Sequence, residues 1–189
     1  ADGSFNADGS GDCDDVQNGY FGSIDGSTHA SSGATQQVAC GEGAYSTNGT
    51  GACQTVQNGY YASDGSQTYV NSRAVAQEAC ADGSFNADGS GDCDDVQAGY
   101  FGNTGGAHVS SGATAETACA EGKYSTNGTG ACQTVTDGYY ASNGSQTYVS
   151  SGAVAEEACA DGSFNADGSG GCDDVQAGYF GNTGGAHVS

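Results

Sequence analysis

The 189-residue chain carries 23 acidic side chains against two basic ones, Arg73 and Lys123, a formal net charge of -21. That balance argues against nucleic acid and anionic membranes as partners, since both require cationic groups to neutralise phosphate. With 35 glycines, no Trp, Met or Pro and few large aliphatics, the sequence cannot build one large core, and uncross-linked it would read as disordered.

Nine cysteines change that reading. They stand at 13, 40, 53, 80, 93, 119, 132, 159 and 172, separated alternately by 13 and by 26 or 27 residues, which marks a tandem array. Two versions of the repeat alternate. The first type covers residues 1–39 (lacking its first cysteine), 80–118 and 159–189 (truncated), and the second type covers 40–79 and 119–158. The true period is therefore a pair of about 79 residues, and residues 160–189 repeat 81–110 with Gly171 in place of Asp92 as the single change. The sequence opens one residue past a missing cysteine and closes in mid-repeat, so it reads as a window on a longer polypeptide.

Each repeat begins with a cysteine-bounded segment holding Asp-Gly or Asn-Gly at its middle: Asp8-Gly9, Asn48-Gly49, Asp88-Gly89, Asn127-Gly128 and Asp167-Gly168. Such dipeptides predict tight hairpin turns. Two cystine patterns fit the count. Pairing near neighbours (Cys40–Cys53, Cys80–Cys93, Cys119–Cys132, Cys159–Cys172) leaves Cys13 for a residue before the window, whereas distant pairing strands Cys172; the central turn favours the near pairs. Small units that bury little apolar surface are held this way in oxidising compartments, each staple contributing roughly 3 kcal/mol. Metal thiolates would want close CxxC pairs, and there are none.

Beyond the second cysteine comes a valine (Val16, Val56, Val96, Val135, Val175), then an aromatic pair such as Tyr60-Tyr61 or Tyr100-Phe101. All 17 aromatics fall at a few repeat positions, which predicts a miniature core of rings and cystines stacked from repeat to repeat. A ladder of exposed tyrosines that stacks on carbohydrate is the competing reading. The stretch returning to the next cysteine, SSGATAETAC or SSGAVAEEAC, suits either a helical turn or a short strand, and we take the strand. The expected fold is all-β and irregular, an elongated tandem array of small disulfide-stapled β-hairpins.

The pattern C-x2-G-x-[FY]-[SN]-x2-G-x3-C describes Cys40–Cys53, Cys80–Cys93, Cys119–Cys132 and Cys159–Cys172. It resembles the ephrin-receptor-like cysteine-rich repeats and, more distantly, the first module of tumour-necrosis-factor-receptor repeats. The resemblance implies that the two cysteines are joined to each other. Where those repeats continue C-x2-C into a second stapled loop, this chain has Val at the third position, and Gly and an aromatic follow at the same spacing, as in Val96, Gly99 and Phe101. The loop then closes near Val109 or Tyr148-Val149, an apolar contact in place of a cystine. The likeness implies a fold and no activity.

Catalysis has little to work with, because His29, His108 and His187 recur singly with no nearby Cys or acid at catalytic or zinc spacing. No enzymatic activity and no required cofactor are expected. Calcium is the one metal the sequence offers: NADGSGDCDD places Asp88, Asp92, Asp94 and Asp95 within eight residues among glycines, and hard oxygen ligands suit that ion. The segment is similar to the acidic calcium repeats of thrombospondin type 3, although a plain solvated acidic turn is the favoured reading. Asn48-Gly-Thr, Asn127-Gly-Thr and Asn143-Gly-Ser are N-glycosylation acceptors on predicted turns.

Together these features predict a non-enzymatic, extracellular or cell-surface structural protein. Its partners would be copies of itself along or beside a fibre and covalent glycans, with no membrane insertion within this segment. The alternative is the stalk or ligand-binding ectodomain of a calcium-dependent adhesin or surface receptor.

Overall fold

The computed structural model describes residues 1–182 and the backbone of 183, 186 and 187. All regular structure among them is β, in short antiparallel pairs. Each repeat contributes two hairpins. The first pairs two-residue strands on either side of the Asx-Gly turn, for example Ala44–Tyr45 with Gln54–Thr55 and Lys123–Tyr124 with Gln133–Thr134. Across its base run the disulfides Cys40–Cys53, Cys80–Cys93, Cys119–Cys132 and Cys159–Cys172, the near pairs, with Cα atoms 5.7–5.8 Å apart. Cys13 is an exposed thiol.

The second hairpin joins the aromatic pair to the Ala-rich stretch: Tyr20–Ser23 with Gln36–Ala39, Tyr60–Ser63 with Ala76–Ala79, Tyr100–Thr104 with Ala115–Ala118, and Tyr139–Ser142 with Ala155–Ala158. The Ala-rich stretch is thus a strand. Its alanines leave room for the backbone to lie close to the next cysteine, whose N–H donates to a glycine carbonyl of the aromatic strand's turn, as in Cys80 to Gly59 at 2.9 Å and Cys119 to Gly99 at 2.8 Å.

Close contacts divide the chain into two units, residues 1–81, 85–94 and 111–114 in one and 82–84, 95–110 and 115–189 in the other. The core of the first includes Val56, Ala62 and Ala74, with Tyr45, Tyr60 and Val70 laid over them. In the second, Val135, Ala141 and Ala153 are covered by Tyr124 and Val149. In both second-type repeats the valine after the second cysteine and the valine that closes the loop therefore belong to one cluster, the apolar contact expected there. The expected ring stack is different in the structure. Phe101 and His108 are the one aromatic ring contact among the described residues, 6.4 Å between centroids, and the tyrosines lie against small aliphatics instead of one another.

What joins consecutive repeats is backbone. Gly19 donates its N–H to the Ser46 carbonyl, Gly59 to Asn86, Gly99 to Ser125 and Gly138 to Asn165, each at 2.7 Å. At two glycines of each of the first three junctions, and at Gly168 of the fourth, the backbones are too close for a side chain. A Cβ on Gly89 would lie 2.3 Å from the Val56 carbonyl oxygen, and one on Gly99 would lie 2.3 Å from that of Gly152. Both glycines also have positive φ, 75° and 87°. Arg73 occupies a position filled elsewhere by Gly112 or Gly152, keeps positive φ (60°), and lays its guanidinium 5.7 Å from the Tyr20 ring centroid.

Gly51 separates the two effects, since its φ is 75° but a Cβ there would meet nothing within 4 Å. Gly51→Ala is expected to cost about 1 kcal/mol, the penalty of a left-handed L-residue. Gly89→Ala adds the backbone clash and is expected to cost at least about 3 kcal/mol, as read by denaturant titration of the oxidised chain.

Candidate functional site

Side chains that recur at the repeat boundaries form the most organised polar chemistry of the chain. Two residues after each first-cysteine position stands an acid, and 26 or 27 residues later stands a ring that binds it. First-type repeats use Asp with His: His29 Nε2 lies 2.9 Å from Asp2 Oδ1, and His108 Nε2 lies 3.2 Å from Asp82 Oδ1. Second-type repeats use Glu with Tyr, the Tyr69 hydroxyl donating to Glu42 at 3.0 Å and the Tyr148 hydroxyl to Glu121 at 2.5 Å.

The aspartates do a second job. Asp2 accepts the Gly51 N–H on both carboxylate oxygens at 3.2 Å, and Asp82 accepts the Gly130 N–H at 3.1 Å. Each thus clasps its own histidine and the staple of the following repeat. The sequence reading found no acid beside the histidines because the acid lies a whole loop away. A signal was present all the same: Asp recurs with His and Glu with Tyr at a separation of 26 or 27 residues. The side chain of His187 lies outside the described residues.

The four aspartates considered for calcium are not brought together. Asp88 accepts the Ser90 N–H and Asp92 accepts the Cys93 N–H, each at 2.8 Å, while Asp94 and Asp95 sit exposed on a strand. The inside of the turn is filled by Asn86. Its amide donates to the carbonyls of Ser90, Gly91 and Asp92 at 3.2–3.4 Å, and its Oδ1 accepts from Asp88 and Gly89. The carbonyls that could have turned toward a cation are satisfied by this amide. Among the described residues no three His, Cys, Asp or Glu side chains converge as a metal site would need.

The three acceptor asparagines are exposed, and all sit on turns closed by their own carboxamide. Asn48 Oδ1 accepts the N–H and the hydroxyl of Thr50 at 3.1 and 2.7 Å, Asn127 accepts the Thr129 N–H at 3.1 Å, and Asn143 accepts the Ser145 N–H at 2.9 Å. Asn48 and Asn127 each precede a buried glycine, Gly49 or Gly128, that presses on the repeat before it. No helix among the described residues is long and apolar enough to cross a membrane.

The clasps set the direction of several titrations. The hydrogen bond from His29, followed by that from the Gly51 N–H, holds the Asp2 carboxyl below the ordinary carboxylate value. Burial pushes Asp82 up, but the Gly130 N–H and His108 outweigh it and the net direction is down. Turn N–H groups also hold Asp8 and Asp25 down. On the alkaline side, burial raises Tyr61, Tyr69 and Tyr124, and the hydrogen bond to Glu121 raises Tyr148.

Comparison with known proteins gives no relative: no protein-family model matches the chain, and no curated protein matches it.

A carboxyl depressed in the folded state stabilises above its unfolded value of 3.8 and ceases to do so as pH falls through the folded value. Raised tyrosines act in the opposite sense, stabilising below their unfolded value of 10.0 and losing that effect as pH rises through the folded value. Melting temperature is therefore expected to be level between these limits, to fall below pH 3.8 and to fall again above pH 10. Asp82→Asn keeps an acceptor for Gly130, and is expected to flatten part of the acid limb in a pH series of thermal melts while lowering the plateau by about 1 kcal/mol.

Proposed function

We propose that this chain is a repeat segment of an extracellular structural filament or surface fibre, non-enzymatic, stiffened by its disulfides and carrying glycans on its second-type turns. The observation that carries this reading is the junction between repeats. The same backbone hydrogen bond recurs, from Gly19 to Ser46, Gly59 to Asn86, Gly99 to Ser125 and Gly138 to Asn165, whichever type of repeat comes first. A contact that is heterologous and does not close on itself propagates for as long as repeats are supplied, which is the geometric requirement of a fibre.

The chemistry of the surface fits the same role. Four disulfides need an oxidising compartment to persist, which supports secretion. Exposed carboxylates and the hydroxyl-rich turns keep the exterior hydrated, and the turn asparagines Asn48, Asn127 and Asn143 stand where a sugar can project. Kinship with the ephrin-receptor-like repeats is part of the proposal; it rests on the cysteine, glycine and aromatic spacing of the stapled half. An adhesin or receptor stalk would use the same modules, but would need calcium or a unique repeat to act.

Electron microscopy of native source material distinguishes the two. The fibre reading predicts regular filaments with a periodicity tied to the 79-residue pair, persisting in chelator and disintegrating within reductant. Isolated rods that slacken only when calcium is removed would overturn it in favour of the adhesin.

A further inference from the structure

A shallow cavity of about 460 Å³ opens beside the second-type hairpin of residues 119–158, where it meets the staple that follows. Its walls include Tyr140, Gln146, Tyr148, Glu157 and Cys172. Tyr140 and Tyr148 are half-buried, so each ring keeps part of its surface available. Glu157 stands opposite Tyr140 across the hairpin, and the Tyr148 phenol is tethered to Glu121, which fixes that ring at the rim. Gln146 is the unexpected member, an exposed residue with a φ of 56° where glycine would cost nothing. A left-handed glutamine is strained by about 1–2 kcal/mol, and strain of this kind gathers at ligand sites.

The arrangement repeats. Tyr61, Gln67, Tyr69 and Glu78 are the same four residues one pair-period earlier; Gln67 has a φ of 59°, Tyr61 lies opposite Glu78, and Tyr69 is tethered to Glu42. First-type repeats lack it: Phe101, His108 and Thr117 stand at the corresponding positions of residues 80–118, with no glutamine in the tip. The set of two rings, one strained amide and one carboxylate is thus particular to the second type, and of its members only Tyr69 and Tyr148 also serve the boundary clasps.

From this geometry we infer that each second-type repeat binds a neutral saccharide in the groove between its two tyrosines. Aromatic faces take the C–H face of a pyranose, and an amide and a carboxylate exchange hydrogen bonds with its hydroxyls. The surrounding acids disfavour anionic sugars. The sugar has two sources. It is either a separate glycan or the chain's own, because Asn143 lies three residues before Gln146 on the same tip. In the earlier copy Asp64 replaces that asparagine, so a glycan on the same tip can serve the later groove only.

The test uses the full 189-residue chain, folded oxidatively in a host that does not N-glycosylate, with chitotriose and mannotriose as probes followed by saturation-transfer NMR and tyrosine fluorescence. At least one probe is expected to bind at two sites per chain. Tyr140→Ala should reduce this to one and Tyr61→Ala with Tyr140→Ala to none, whereas Tyr140→Phe should retain both. Gln67→Gly with Gln146→Gly relieves the strain, so its melting temperature should hold or rise while affinity falls about tenfold, a combination that a purely structural glutamine would not give.

Chain from an N-glycosylating host distinguishes the sources. Loss of one site, regained in Asn143→Gln, identifies the chain's own glycan as ligand, and two undiminished sites identify a separate saccharide. No transfer from either probe at millimolar concentration, or full binding in a folded double alanine variant, would overturn the inference. Binding is read on dispersed chains, so this outcome and that of the filament test are independent.

Discussion

Where one repeat rests on the next, backbone meets backbone at distances that exclude even a methyl group. Gly49 against Val16, Gly89 against Val56 and Gly128 against Val96 each place the Cα where a Cβ would be 2.2–2.3 Å from a carbonyl oxygen. Because the glycine and the valine of this contact stand in both repeat types, it is indifferent to their alternation. It also sets what the rest must supply. A chain with 35 glycines loses much conformational entropy on folding and offers few side chains to bury, so the ordering has to come from cystines at the base of each hairpin and from saturation of the backbone hydrogen bonds.

The carboxylates belong to that saturation. Read as a total, the net charge resembles that of a disordered polyanion. In the structure many of the acids are local fasteners: Asp8 accepts the Ser10 N–H, Asp25 those of Ser27 and Thr28, Asp64 that of Ser66, Asp88 that of Ser90. Each closes a turn whose glycine could otherwise wander. The equivalent positions Asn48 and Asn127 in the second type close their turns with an amide in the same way. The acidity of the chain and its shortage of regular structure therefore have one cause, a fold composed largely of turns.

Much of this was legible beforehand. Cysteine spacing with a central Asx-Gly predicts the stapled hairpin that forms, and valine spacing predicts the apolar cluster of the second-type repeats. What the sequence concealed was contact between residues a full loop or more apart. The glycines at the junction read as flexibility, since nothing local reveals that a carbonyl from another repeat will occupy the space beside them. Similarly, the rings suggested a stack because their recurrence is visible while their packing partners, small alanines, are easily overlooked. Within the acidic run considered for calcium Asn86 is one neutral residue, and nothing local reveals that its amide occupies the centre of the turn.

The first-type repeat of residues 80–118 is one residue shorter than its neighbour, yet its junctions are unchanged. The difference is absorbed at the far tip of the aromatic hairpin, where Thr104 and Ala107 pair around Gly105-Gly106 and a Cβ on either glycine would meet nothing within 4 Å. Elsewhere the same tip is longer, closed by single bridges from Ser63 to Tyr69 and from Ser142 to Tyr148. Length is negotiable at this point and fixed everywhere else, so the tip is the natural place for cargo: a peptide epitope or an enzyme-cleavable cassette spliced between Gly105 and Gly106 would be displayed from that unit without altering the step of the array.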